Sequence, residues 1–178
     1  MLSEISKTVT ELGSEGVTRT EVKTHLNITD TGWDTEIDGL ITQCRMALEA
    51  YTGRSLVYKR IVLYCELDNE WWLPYGPVIG IEGVATKEAT IGSGIPDYTT
   101  LETGWEVIGG DFKKFKALTC NELKITYTAG YTTLPASLKL ALLNEIYFRF
   151  ENKGQTRGNG ICEESRVLAD PYRRLEWL

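Results

Sequence analysis

The amino-acid sequence predicts an α+β domain in which helices at both ends of the chain flank an inserted antiparallel β-sheet. Apolar residues recur at steps of three and four before about residue 54 and after about residue 134, and they alternate singly between these positions. No βαβ alternation is present, which argues against a parallel sheet. We therefore expect a single domain over 1–178, with a helical body at about 17–54 and 134–178 and a β insertion at about 55–131.

The first two helices are predicted from a cap and from a periodicity. Thr18 is followed three residues later by Glu21, which is the spacing of a capping box at the start of a short helix. Apolar residues then recur at helical spacing from Ile37 to Tyr51. Gly53 follows directly and supplies a C-terminal stop for the second helix.

The β insertion is predicted from residues that alternate in polarity. From Leu56 to Leu67, one face carries Ile61, Leu63 and Cys65. Further strands are predicted at Val78–Thr86, Tyr98–Leu101, Trp105–Ile108 and Leu123–Tyr127. Glycine and proline separate these segments, so we expect the strands to form an antiparallel sheet.

Two more helices are expected after the sheet. Leu134-Pro135 begins the third helix, whose apolar residues cover much of its circumference, so we expect it at the centre of the helical body. The polar, glycine-rich residues 152–160 predict a mobile loop. The last segment, 163–178, carries apolar residues at helical spacing and is interrupted by Pro171.

Composition and charge exclude several classes of function. The chain is 42% apolar with a formal net charge of −6, and this acidity disfavours a protein that grips nucleic acid through its phosphates. The longest apolar runs are far shorter than the roughly 20 residues of a membrane span. The N-terminus also lacks the regions of a secretory signal. We expect a water-soluble protein without a membrane partner.

No residue pattern indicates catalysis, a cofactor or a metal site. His25 is the only histidine, and no nucleophile motif accompanies it. The four cysteines are widely spaced and form no Cys-x-x-Cys pair, so we interpret them as free thiols and expect no zinc. Asp34 and Asp38 share a face of the second helix, where acidic side chains complement the helix dipole. We expect a protein that is not an enzyme.

Large aromatic residues are the most informative side chains. Trp71 and Trp72 are adjacent, so in an extended chain they point to opposite faces. One of them is a candidate interface anchor, because tryptophan is enriched at protein contacts. The alternative is that both pack under the loop at 74–77.

The chain end supplies the other interface candidates. A helix as short as the terminal segment is unstable alone, so the segment docks either on its own core or on another subunit. If it docks on another subunit, the expected anchors are Tyr172, Arg173, Arg174 and Trp177.

A second functional hypothesis rests on Phe112–Lys116, which interleaves two aromatic residues with three lysines. Single-strand-binding surfaces carry such a pattern. Three lysines on a solvated edge strand would give the same sequence, because charges protect exposed edges. The alternative function is therefore a nucleic-acid-binding module that uses Phe112–Lys116 and the C-terminal arginines.

A series of short motifs runs in a distinctive order from about Val17 to Arg174. The motifs are VTRTEVKTHLNI at 17–28, Ala50–Arg54, Leu73–Val78, Ile125–Tyr131, Leu134-Pro135 and Pro171–Arg174. In this order they resemble the head-tail connector proteins of long-tailed bacteriophages, which are also called adaptor or head-completion proteins. Residues 91–104 and 152–164 look longer than the family minimum.

This resemblance implies a structural virion protein at the neck, assembled in the host cytoplasm. A ring of about twelve copies would join the portal protein to a stopper or tail-completion protein. Double-stranded DNA would pass through the channel without specific binding, which is compatible with an acidic chain. Since head-to-tail contacts close a ring only between different patches, each subunit would carry two complementary surfaces.

Overall fold

The structure is a computed structural model that describes residues 3–66, 70–87, 98–117, 122–153 and 160–174. It confirms the α+β class, with helices and antiparallel sheets. The chain divides into two compact units. The sheet unit comprises Met1–Gly13 and Tyr58–Gly130, and the helical unit comprises Ser14–Val57 and Tyr131–Leu178.

The helical unit contains the predicted helices. They are α1 (Arg19–Leu26), α2 (Asp34–Thr52), α3 (Ala136–Glu151) and α4 (Glu163–Ala169), and a 3-10 turn at Asp170–Tyr172 follows α4. The capping box forms as expected, since the Thr18 hydroxyl accepts from the Glu21 N–H and the Glu21 carboxylate accepts from the Thr18 N–H at 2.9 Å. Gly53 ends α2 with a φ of 68°.

The core of the helical unit is the apolar side of α2 packed with one side of α3. Its fully buried members include Val22, Ile37, Cys44, Leu48, Leu138, Ala141, Leu142, Ile146 and Ala169. The expectation that α3 is central holds for this side only, because Leu140 and Tyr147 on the other side are 43% and 49% exposed. Within the described ranges, no helix is both long enough and apolar enough to cross a membrane.

The sheet unit contains two antiparallel sheets. Its strands are β1 (Ser3–Glu11), β2 (Lys59–Glu66), β3 (Glu70–Trp72), β4 (Val78–Lys87), β5 (Tyr98–Thr100), β6 (Trp105–Gly109), β7 (Lys113–Ala117) and β8 (Glu122–Ala129). One sheet has the order β1-β2-β8-β4-β5 and the other has the order β3-β7-β6. Ile61, Leu63 and Cys65 are buried together, as their alternation predicts.

Two features of the sheet unit depart from expectation. Strand β1 was not predicted, because residues 6–11 are polar except for Val9 and show no apolar alternation, and all of them are exposed. It forms by pairing with β2, for example Thr10 with Arg60. Strand β7, which carries the lysines of Phe112–Lys116, lies between β3 and β6. The interpretation of this segment as a solvated edge is therefore wrong.

Candidate protein interface

The last described segment, 170–174, lies against the C-terminal end of α2 in its own helical unit. Arg54 holds it, since Arg54 Nε donates to the carbonyl oxygen of Tyr172 and Arg54 Nη1 donates to the Tyr131 hydroxyl at 3.1 Å. The guanidinium carbon also lies 5.9 Å from the centre of the Tyr172 ring, in cation–π geometry. Arg54 thus binds both the backbone and the ring of Tyr172.

Further contacts extend this attachment on either side of Tyr172. The Tyr51 hydroxyl donates to the Asp170 carboxylate, and burial followed by this hydrogen bond raises the pKa of Tyr51. The Arg174 N–H donates to the carbonyl oxygen of Thr52 at 2.8 Å. The guanidinium of Arg173 lies 5.3 Å from the Tyr51 ring centre. We call residues 51–54 together with 170–174 the C-terminal clasp.

The last segment was expected to dock either on its own core or on another subunit. The contacts of the clasp show which of the two applies to its described part. Ala169 is fully buried, and Tyr172 packs against the core of the helical unit, so the segment docks on its own unit as far as Arg174. Arg173 is nevertheless exposed. A role of Tyr172, Arg173 and Arg174 in binding a neighbour stays a prediction, and Trp177 lies outside the described residues.

A buried carboxylate fastens α4 to α3. Glu145 is 1% exposed, and its two oxygens accept from Arg149 Nε and from the Cys162 N–H, both at 2.7 Å. Ser165 Oγ donates to the carbonyl oxygen of Ala141 at 2.7 Å. These bonds fix the start of α4, and through α4 they fix the clasp. The sequence analysis did not predict this role of Glu145. Its only signal in the sequence is an acidic residue among the apolar residues on one side of α3.

The tryptophan pair points to opposite faces, as expected for adjacent residues in a strand. Trp71 pairs with Phe115 and packs against the core of the sheet unit. Trp72 pairs with Lys114, remains 42% exposed, and has the Lys114 ammonium 5.7 Å from its ring centre. Trp72 is therefore the member of the pair that is available to a partner.

Of the two aromatic rings in the Phe112–Lys116 segment, Phe112 is half-buried and the other is withdrawn from the surface that carries the lysines. Phe115 is fully buried and stacks on Trp105, with ring centres 5.8 Å apart. Lys116 forms an ion pair with Glu106 at 3.4 Å. Because bases stack on exposed rings, this arrangement gives little support to the nucleic-acid-binding hypothesis.

The acidic start of α2 binds the basic residues of α1. Arg19 Nε donates to Asp38 at 2.8 Å, and the Lys23 ammonium donates to Asp34 at 2.8 Å. These hydrogen bonds lower the pKa of Asp38 and the pKa of Asp34. No group of metal-ligating side chains occurs among the described residues. His25 meets Tyr147 edge to face, with ring centres 6.3 Å apart.

Comparison with known proteins gives one family and several similar structures. A sequence-family model described as "head completion protein" matches residues 16–162. A solved structure described as "Neck of empty GTA particle computed with C6 symmetry" is similar over 96% of this chain and 97% of that chain, with a TM-score of 0.76 and 17% identity. No curated protein sequence matches.

Two further solved structures share the fold. The first, "Virion of native gene transfer agent (GTA) particle", covers 100% of this chain and 97% of that chain, with a TM-score of 0.75 and 18% identity. The second, "Neck of native GTA particle computed with C12 symmetry", covers 96% and 97%, with a TM-score of 0.69 and 17% identity. At such identities the likeness shows a shared fold.

Proposed function

We propose, from the premise that this chain belongs to the head completion protein family, that it is a structural protein in the neck of a phage-like particle. The observation that carries this proposal is the family match over residues 16–162, which include parts of both units. This match confirms the family that the order of the sequence motifs indicates. A connector of this kind acts through its interfaces and needs no catalytic site.

The finer proposal is a ring of about twelve copies between the portal protein and a stopper or tail-completion protein. Two of the structures with this fold are necks computed with C6 and C12 symmetry, which supports a cyclic arrangement. DNA would pass through the ring without being held. The net charge of −6 supports this part, because tight binding to phosphates would retain the genome.

Interface residues on both units would serve this role. Trp72 offers an exposed aromatic ring on the sheet unit, and Arg173 offers an exposed guanidinium on the clasp. Tryptophan and arginine are the residues that most often dominate binding energy at protein contacts. We include Tyr172, Arg174 and Trp177 as anchors of the chain end.

The test measures whether the chain assembles on the portal protein of its own particle. Native mass spectrometry and electron microscopy should show a ring of the intact protein on the portal. Trp72→Ala and Arg173→Ala should weaken this binding at least tenfold without changing the far-UV circular dichroism. Val167→Ala is the matched control, since Val167 is a 62% exposed apolar residue on α4.

Two outcomes would contradict the proposal. If the intact protein stays monomeric in the presence of portal, the connector role fails. If the protein binds DNA, with an affinity that falls steeply as salt rises, the nucleic-acid-binding alternative gains the support it now lacks.

A further inference from the structure

Helix α3 carries further apolar residues outside its buried side, although one of them, Leu143, still packs against the core of the helical unit. Leu140, Leu143, Tyr147 and Phe150 follow one another at steps of three, four and three, the spacing of a seam that packs against another helix. Leu140 and Tyr147 are 43% and 49% exposed, while Leu143 and Phe150 are partly buried. We call these four residues the α3 strip.

The strip continues into an aromatic pair at its C-terminal end. Trp33, which is 40% exposed, meets Phe150 edge to face, with ring centres 5.5 Å apart. The Lys153 ammonium lies 4.0 Å from the Trp33 ring centre and pairs with Glu36 at 2.8 Å. The exposed apolar surface therefore extends over about 15 Å of helix, from Leu140 to Phe150, and then across Trp33.

Helix α2 presents a different kind of surface on its own outer side. Gly39, Gln43, Met46 and Ala50 lie along this side, all exposed, with Met46 59% exposed. We call these four residues the α2 face. It is uncharged, because the acidic residues of the first turns lie elsewhere on the helix and bind Arg19, Lys23 and Lys153.

No contact in the described part of the chain requires a glycine at position 39. A Cβ at this position would meet nothing within 4 Å, and its φ is not in the left-handed region. A glycine inside a helix destabilises it relative to alanine, and its usual benefit is the close approach of another backbone or side chain. The α2 face thus has open space at Gly39, where a bulky side chain of the α3 strip could lie.

The two surfaces point away from each other. The buried sides of α2 and α3 share one core, and at about 100° per residue Leu140, Tyr147 and the α2 face lie opposite the buried side of their helix. Two different patches on opposite sides of one unit are what a head-to-tail ring requires. Neither set of four residues carries a charge, and the charged groups at the end of the strip, Lys153 and Glu36, pair with each other at 2.8 Å.

We propose that the α3 strip of one copy packs on the α2 face of the next copy. This inference rests on the proposed ring and assigns the subunit contact within it. The occupant of each surface is a second copy of this chain, because structures that share this fold are necks computed with cyclic symmetry and the proposed ring places copies side by side. Leu140 and Tyr147 would be the central anchors, and they would lie over Gly39 and Met46.

Site-directed cross-linking tests the contact. Leu140→Cys and Met46→Cys are made singly and together in a Cys120→Ser background, in which the described cysteines Cys44, Cys65 and Cys162 are buried. Each protein is treated with a short bismaleimide at high concentration, alone and with portal. We expect the double variant to give a ladder of oligomers, the mixed single variants to give dimers only, and each single variant to stay monomeric.

A third substitution tests, in the same cross-linking assay, whether the contact lies over Gly39. Adding Gly39→Leu to the double variant should reduce the ladder at least tenfold while the thermal unfolding of the monomer is unchanged or improved. Val167→Glu on α4 is the control and should leave the ladder intact.

The other outcomes overturn the inference in distinguishable ways. Dimers from one single variant alone would show a symmetric contact in place of the proposed one. If the double variant gives no ladder while the intact chain forms a ring on portal, the ring uses other surfaces and the proposed function stands. If neither a ladder nor a ring forms, both proposals fail.

Discussion

Glu145 and Cys162 are joined by a hydrogen bond in which the buried carboxylate of α3 accepts from the backbone N–H at the start of α4, at 2.7 Å. The same carboxylate accepts from Arg149, and Ser165 adds a second bond from α4 to α3. A helix of seven residues has little stability of its own. The position of α4, and of the clasp behind it, therefore depends on Glu145 together with Ser165 and the packing of Ala169 in the core.

Replacing Glu145 with alanine should lower the free energy of unfolding of the helical unit by about 2–3 kcal/mol, because hydrogen bonds to a charged group are lost and the buried Cys162 N–H is left unpaired. Glu145→Gln keeps one acceptor oxygen and should cost less. Urea denaturation followed by circular dichroism measures both variants. Glu163→Gln, on the exposed start of α4, is the matched control. Equal stability of Glu145→Ala and the unaltered chain would contradict the role given to this carboxylate.

Glu21 makes the stability of the helical unit sensitive to acid. Its hydrogen bonds, first from Lys139 and then from the Thr18 backbone, lower its pKa from 4.5 to about 2. A lowered carboxyl pKa stabilises the fold above pH 4.5, and this contribution is lost as the pH falls from 4.5 towards 2. Carboxyl carbon NMR should give a midpoint for Glu21 near 2.

The partner of Glu21 can be tested by substitution. Lys139→Met should move the Glu21 midpoint up towards 4.5 and should remove part of the acid sensitivity. Lys153→Met removes a different surface ammonium, one that pairs with Glu36, and should leave the Glu21 midpoint where it was. A midpoint for Glu21 that does not respond to Lys139→Met would assign the shift to the cap alone.

The clasp should open when Arg54 is replaced. Arg54→Ala removes the donors to the Tyr172 carbonyl and the Tyr131 hydroxyl, at a cost of about 1–2 kcal/mol. Trypsin should then cleave after Arg173 or Arg174 several times faster, as followed by mass spectrometry. Arg54→Lys should protect only in part, since an ammonium lacks the planar set of donors. Arg19→Ala serves as the control, and unchanged cleavage in Arg54→Ala would argue against the clasp.

Two glycines of α2 should respond in opposite directions to alanine. Gly39→Ala should stabilise the monomer by about 0.5–1 kcal/mol, because the helical backbone accepts a Cβ and the space is open. Gly53→Ala should destabilise it, since Gly53 has a φ of 68° and a Cβ there would lie 3.2 Å from Arg174. Thermal unfolding of the two variants beside the unaltered chain gives the comparison. Destabilisation by both would show that position 39 is constrained within the monomer.

The buried thiol of Cys44 should be inert in the native protein. Burial raises its pKa to about 12, so almost none of it is thiolate at pH 8, and the thiolate is the reactive form. Iodoacetamide should label Cys44 only after unfolding in guanidinium, as measured by mass spectrometry. Native labelling at the rate of the unfolded chain would contradict the burial.

Local patterns predicted most elements, because the forces that start and end them act over a few residues. Thr18 and Glu21 cap α1 across three positions, and Gly53 ends α2 through its own backbone. The alternation that puts Ile61 and Leu63 on one face is likewise local. Strand β1 carried no such pattern, since it gains its order from pairing with β2.

The candidate interface was only partly visible in the sequence. The opposed directions of Trp71 and Trp72 follow from strand geometry, but which of them is exposed depends on the pairing of β3 with β7. Arg54 and Tyr172 are 118 residues apart in sequence, and no spacing rule joins two such residues. The exposed side of α3 was not predicted for a related reason. Apolar residues all around a helix predict that it is buried on every side, but they do not tell whether its own chain or another chain covers it.

Each unit is built from two separate stretches of the chain, and this has a consequence for synthesis. Strand β1 has no partner until β2 has been made, and the core of α1 and α2 stays open until α3 follows the whole sheet unit. Pairings between distant stretches form slowly, and a chain emerging from the ribosome holds its early segments unpaired meanwhile. The sheet unit cannot close before about residue 130 is translated, and the helical unit cannot close before about residue 150, so products truncated before α3 have no closed helical core.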